Sequence, residues 1–145
     1  MSRSRVVLLP YTAASVGAAR KSVIADLRSA GIFEPTDSDA AIVVSELMTN
    51  ALRHANPLPG AVIRVCWELA SDYVELEVSD GGGATIPSLG NPGQAATSGR
   101  GLGIVQKLSR RWGVRQDGDE MTVWAEVPVL VTKRNHRLTH AVSEA

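Results

Sequence analysis

Ser45-Glu-Leu-Met-Thr-Asn-Ala-Leu-Arg-His-Ala55 is a run of strong helix formers that carries an acid, an amide and two basic groups at helical spacing. It predicts one helix. With Glu46 set at zero and about 100° per residue, Asn50 falls at roughly 40° and Arg53 at roughly −20°, while Val44, Met48, Ala51 and Ala55 gather on the far side. One face is oily and the other chemical. A carboxylate and a carboxamide four residues apart both reach one small object above the helix, such as a hydrated divalent cation and the phosphates it bridges. Asn50 would supply a neutral oxygen ligand, and Glu46 would orient a water or accept a proton from an attacking hydroxyl. The plainer alternative is an amphipathic helix with a solvated polar face.

Upstream, Pro35-Thr-Asp-Ser-Asp39 is turn chemistry with several possible caps, so this helix is predicted over residues 40–55, where Asn56-Pro57-Leu58-Pro59-Gly60 stops it. Residues 6–9 read as a short strand closed by Pro10. Between them lies another helix: Ser15 caps it, Val16, Ala19, Val23, Ile24 and Leu27 recur at three- and four-residue spacing, and Gly31 supplies a left-handed stop. Arg20, Lys21 and Arg28 fall off that stripe.

Downstream, Ile63, Val65, Trp67 and Leu69 alternate with polar residues, as do Val74, Leu76 and Val78, and Ser71-Asp72 between the runs predicts an antiparallel hairpin. The parity that turns Val74, Leu76 and Val78 inward also turns Asp80 inward, just ahead of Gly81-Gly-Gly83. A carboxylate on the core side needs a partner. Either it bonds its own turn or it reads a ligand.

Residues 84–98 hold two prolines and two glycines with no apolar period, and loops of that length are usually lids or binding loops. They lead to Gly99-Arg-Gly-Leu-Gly103, directly ahead of a helix carrying Ile104, Val105, Leu108 and Trp112 and stopped at Gly113. Unpaired N–H groups at such a helix start favour a phosphate, although glycine triplets also punctuate plain loops. A last hairpin, residues 114–116 and 121–127 about Asp117-Gly118-Asp119, places Met121, Val123, Ala125 and Val127 on one face.

The 145 residues fit one domain with a real core. Residues 1–130 are assigned to it, and 131–145 form a polar tail expected to be disordered. Fifteen basic and fifteen acidic side chains cancel, which gives no support for a generic nucleic-acid or acidic-lipid binder. The single cysteine, Cys66, excludes an intrachain disulfide and a structural zinc site, and reads as a small buried or half-buried strand residue. No apolar run suits a secretory leader or a membrane span, so a cytoplasmic location is expected.

A dinucleotide Rossmann site wants its glycines after a first strand, a P-loop wants Lys-Ser or Lys-Thr, and the kinase catalytic-loop signature is missing. What remains is an ordered set: a helix with Glu46 and Asn50, a strand ending in Asp80-Gly81-Gly82, a long loop, a glycine cluster at a helix start, and Thr122 on the last hairpin. Over roughly residues 6–127 this order closely resembles the anti-sigma factor serine/threonine kinases and related small ATP-binding regulators of the GHKL, or histidine kinase-like ATPase, superfamily. The resemblance implies an α+β fold, a two-layer α/β sandwich of the Bergerat type with a mixed, mostly antiparallel sheet and helices on one face.

It further implies ATP and Mg²⁺ as cofactors. Glu46 to Ala51 looks like the N-box, with Asn50 as the Mg²⁺ ligand and Glu46 as the general base, and Arg53 and His54 lie beside the site on the same helix. Asp80 looks like the aspartate that accepts a hydrogen bond from the adenine amino group, and Gly82 would give the base room. Gly99, Gly101, Leu102 and Gly103 are similar to the second glycine box that wraps the triphosphate, and Thr122 matches the threonine that completes the adenine pocket. Arg100, a guanidinium inside that wrap, suits the terminal phosphate. One departure is Ala84, where the first glycine box usually has another glycine.

Two functions follow from this resemblance. The first is a protein kinase that phosphorylates an anti-sigma factor antagonist and sequesters a sigma factor, with a homodimer as a possible assembly. The second is a non-catalytic switch in which ATP orders the lid and the ordered form binds a partner. The retention of both Glu46 and Asn50 favours chemistry. A dimer-clamp hydrolase and a histidine kinase core are disfavoured, because the chain carries neither an additional lysine-supplying domain nor a phospho-acceptor helix pair.

Overall fold

The computed structural model describes residues 3–83 and 100–130. Among the described residues three helices lie against a five-stranded sheet: β1 (Arg3–Pro10), α1 (Ala14–Ser29), α2 (Thr36–His54), β2 (Val62–Leu69), β3 (Tyr73–Asp80), α3 (Arg100–Leu108), β4 (Arg111–Asp117) and β5 (Glu120–Pro128). The strand order is β1-β2-β3-β5-β4, and every pairing among the described strands is antiparallel. This is the expected α+β two-layer sandwich. The lid expected at residues 84–98, together with Gly99, and the tail at 131–145 lie outside the described residues.

The core fills the space between the helices and one sheet face. Ala19, Val23 and Leu27 of α1 and Val43, Val44, Leu47 and Met48 of α2 meet Ile63, Val65 and Trp67 of β2, Val74, Leu76 and Val78 of β3, and Val123, Ala125 and Val127 of β5. Each large aliphatic side chain sealed there contributes about 1.5–3 kcal/mol relative to exposure. The period-2 pattern therefore sends Glu75 and Glu77 of β3 and Trp124 of β5 to the opposite face, which no described helix covers.

Three element boundaries differ from expectation for identifiable reasons. Ser15 is not the cap of α1. It lies inside the first turn, buried, and its hydroxyl donates to the Pro10 carbonyl at 2.6 Å, tying the helix start to the end of β1. α2 begins four residues early, at Thr36, because Asp37 is drawn fully inside, where Arg28 Nε donates to it at 2.7 Å and the Ser38 N–H at 2.7 Å. The third helix stops at Leu108, and Trp112 and Gly113 belong to β4, where Trp112 pairs with Ala125 and Gly113 with Trp124. A Cβ on Gly113 would come within 2.7 Å of the Trp124 ring, so glycine there seats an indole rather than stopping a helix.

The end of α1 is as expected. Gly31 adopts φ +86°, its N–H donates to the Arg28 carbonyl at 2.9 Å, and the Ile32 N–H donates to the Leu27 carbonyl at 2.8 Å. Those are the two bonds of a Schellman stop, with Ile32 and Leu27 both buried beneath it.

Candidate functional site

The last two turns of α2 face the end of β3 and the start of β5 across a pocket. Leu47, Asn50, Ala51, His54 and Ala55 form one wall; Val78, Asp80, Gly83, Met121 and Val123 form the other. The free volume within it is about 20 Å³, room for one water molecule. Walls of this kind, mostly apolar with a few convergent polar groups, suit a flat heteroaromatic ring that needs one or two specific hydrogen bonds.

Asp80 is the chemical centre. β3 alternation places it on the core side, 4 % exposed, and its Oδ1 accepts the Gly82 N–H at 2.7 Å. It therefore bonds its own turn and at the same time lines the pocket. Burial pushes its pKa upward, the Gly82 N–H pulls it part of the way back, and the charge of Glu120 adds to the rise. Such a carboxylate gains from any N–H donor that enters, which is what an aminopurine edge offers.

The glycines after Asp80 are fixed by close backbone approach. Gly82, at φ +84°, could carry no side chain because a Cβ would come within 2.5 Å of the Asp119 carbonyl oxygen, so its smallness serves the β4–β5 turn. Gly83 is the glycine that lines the pocket, and a Cβ on it would meet the His54 carbonyl at 2.5 Å. The Asn56 N–H donates to the Gly82 carbonyl and the Gly81 N–H to the Asn56 carbonyl, both at 2.8 Å, so the segment after α2 and the segment after β3 are stitched together.

The structure brings Asn50, His54 and Asp80 to one pocket and leaves Thr122 outside it. Thr122 pairs in register with Ser79, its hydroxyl lies 2.6 Å from the Ser79 hydroxyl, and both face away from the helices. Its place beside Asp80 is taken by Met121, the register partner of Asp80, which is buried and lines the pocket. Glu46 is half-buried one turn before Asn50 and Arg53 is exposed; neither lines the pocket floor. Arg100 is the first residue of α3, so Gly101, Leu102 and Gly103 occupy its opening turn, with Leu102 buried. The opening turn of a helix carries N–H groups without partners inside the helix, and such groups suit phosphates.

Among the described residues no group of three or more His, Cys, Asp or Glu is placed to hold a metal ion. A divalent cation here would rest on Asn50 and on phosphate oxygens, the mode magnesium prefers. The donor set thus fits a magnesium nucleotide: a buried acceptor for an amino group, apolar walls for a ring, and a neutral oxygen at the rim.

A sequence profile of the histidine kinase-like ATPase domain matches residues 9–127, and the chain belongs to that family. Among solved structures, the RsbU and RsbW domains of Rv1364c from Mycobacterium tuberculosis resemble it with a TM-score of 0.67 and 18% sequence identity, over 88% of this chain. The match spans only 32% of that longer chain, and at this identity the likeness speaks for the fold. No curated protein sequence matches significantly. No described helix is long and apolar enough to cross a membrane.

Proposed function

We propose that the protein binds Mg·ATP and transfers its terminal phosphoryl group to a serine or threonine of an anti-sigma factor antagonist, while the same domain holds a sigma factor. The observation that carries the nucleotide reading is the buried Asp80 carboxylate facing Asn50 across an apolar pocket, in a chain of the histidine kinase-like ATPase family. The kinase and sigma-factor parts rest on the resemblance of the ordered motifs. A reducing cytosol is the setting this reading implies.

Each residue then has a task. Asp80 accepts a hydrogen bond from the amino group of the base, and Val78, Met121 and Val123 cover its ring. Asn50 would hold magnesium through its amide oxygen. Arg53, exposed on α2, and Arg100, at the start of α3, are the cations nearest in sequence to the phosphate-binding elements. Glu46, one turn before Asn50, would accept the proton of the attacking hydroxyl. Bound Mg·ATP supplies the phosphoryl group and neutralises charge on its oxygens; the protein's part is positioning and electrostatic stabilisation.

The test is incubation with γ-labelled ATP, magnesium and candidate antagonist proteins, followed by locating the label. Transfer to serine or threonine is expected, with Glu46→Ala keeping ATP affinity and losing transfer. Asn50→Ala should lose the magnesium-dependent part of binding. Tight ATP binding with no transfer to any partner would replace the kinase with the lid-ordering switch.

A further inference from the structure

α2 ends without the device that ends α1. Its final residue is followed by Ala55 in an extended conformation, with no left-handed residue at the stop, and Asn56-Pro57 bars continuation. The last carbonyls of such a helix need donors from elsewhere. Tyr11, in the turn between β1 and α1, supplies one: its hydroxyl lies 2.7 Å from the Ala51 carbonyl oxygen and 2.5 Å from that of Ala55, a single O–H shared between acceptors one turn apart.

The backbone that carries the phenol is itself held from two sides. The Tyr11 N–H donates to the Ala61 carbonyl at 3.0 Å, and the preceding Pro10 carbonyl accepts both the Thr12 N–H at 2.8 Å and the Ser15 hydroxyl at 2.6 Å. The turn of α2 that it grips carries Ala51, His54 and Ala55, which line the pocket together with Asn50. The opposite wall is joined to this helix end through Asn56 and the Gly81–Gly82 backbone. Burial and the charge of Asp80 both push the Tyr11 pKa upward, which keeps the hydroxyl protonated as a donor and places it within electrostatic reach of the site's carboxylate.

We infer that Tyr11 is a positioning residue of the nucleotide site: by bridging the Ala51 and Ala55 carbonyls it fixes the final turn of α2 relative to Asp80, and so sets how the two walls of the pocket stand to each other. This rests on the nucleotide reading above. Without the hydroxyl, the Ala55 carbonyl loses this donor, and the helix end is held to β3 by the Asn56 stitch and by core packing alone among the described contacts.

The experiment compares wild type, Tyr11→Phe and Tyr73→Phe for Mg·ATP affinity by calorimetry well below the melting midpoint, with hydrogen exchange at the Ala55 and Asn56 amides. Tyr11→Phe should weaken ATP about tenfold and speed exchange at those two amides. Tyr73→Phe, which alters the ring beneath Arg110, should leave affinity unchanged. A role confined to stability would lower the melting midpoint and spare the affinity of the folded protein, and that result would overturn the proposal. If wild type itself binds no ATP, the nucleotide reading fails; if wild type binds and Tyr11→Phe binds equally, only the role of Tyr11 fails. Should Tyr11→Phe not fold, exchange in the unaltered protein decides: saturating ATP must protect the Ala55 and Asn56 amides, and no change there would overturn the assignment.

Discussion

Asp80 shows how one side chain can oppose stability and serve recognition. Because its carboxyl titrates higher in the folded than in the unfolded chain, the folded state binds that proton more tightly. Its contribution to stability is present in full below the ordinary carboxylate range and is lost as pH rises through the raised value. At neutral pH this carboxyl is therefore a cost to the fold. Asp80→Asn, which keeps an oxygen for the Gly82 N–H, should raise the melting midpoint by a few degrees, since about 1 kcal/mol shifts a domain of this size by roughly 3 °C. The same variant should bind ATP at least tenfold more weakly while tripolyphosphate binding is unchanged; equal losses for the two ligands in calorimetry would remove Asp80 from base recognition. Cys66 offers a second check at this scale. Burial and the nearby Glu77 push its thiol pKa upward against the opposing pull of Arg64, so its reaction with a disulfide reagent at pH 7 should be slower than that of a free thiol. Parity along β5 turns Thr122 away from the core, since Met121 and Val123 on either side of it face inward, but which residue stands beside Asp80 is set by the β3–β5 register.

Among the elements, α2 carries most of the site, and its ends are secured by other parts of the chain. Its start is fixed by Asp37, completely buried and bonded by Arg28 from the last turn of α1. Arg28 is about half exposed, so the Coulombic part of the pair is screened, but removing the carboxylate leaves the Ser38 N–H and the guanidinium without their acceptor. Asp37→Ala should cost about 1–3 kcal/mol in urea unfolding, and Arg28→Ala less than that if water can solvate the remaining carboxylate. An undiminished midpoint for Asp37→Ala would mean that α2 is anchored by its apolar face alone. The last strand pair shows why the third helix was overextended in the sequence reading. Leu108 and Trp112 keep helical spacing, yet pairing of residues 111–117 with β5 satisfies their backbone and seats Trp124 over Gly113, and that tertiary gain overrides local periodicity.

At the scale of the molecule, the pocket belongs to neither layer alone. It forms where the end of α2 meets the β3 and β5 strands, so its occupation should couple to global stability. With ATP at a hundred times its dissociation constant, linkage predicts about 2.7 kcal/mol of stabilisation if only the folded state binds. A melting midpoint that rises with ATP and magnesium, and less with Asn50→Ala, would agree; a midpoint indifferent to both would count against the site. The sequence by itself determined the fold class, through the order of motifs that carries the family resemblance, and it determined the apolar face of α2, the hairpins and the inward turn of Asp80, because periodicity fixes which way a side chain points within its own element. Only the tertiary structure decided that Met121 rather than Thr122 stands beside Asp80, that Gly82 yields to Asp119, and that Tyr11 closes a helix 40 residues away. Those facts depend on strand register and on contacts between distant segments, and no local period carries them.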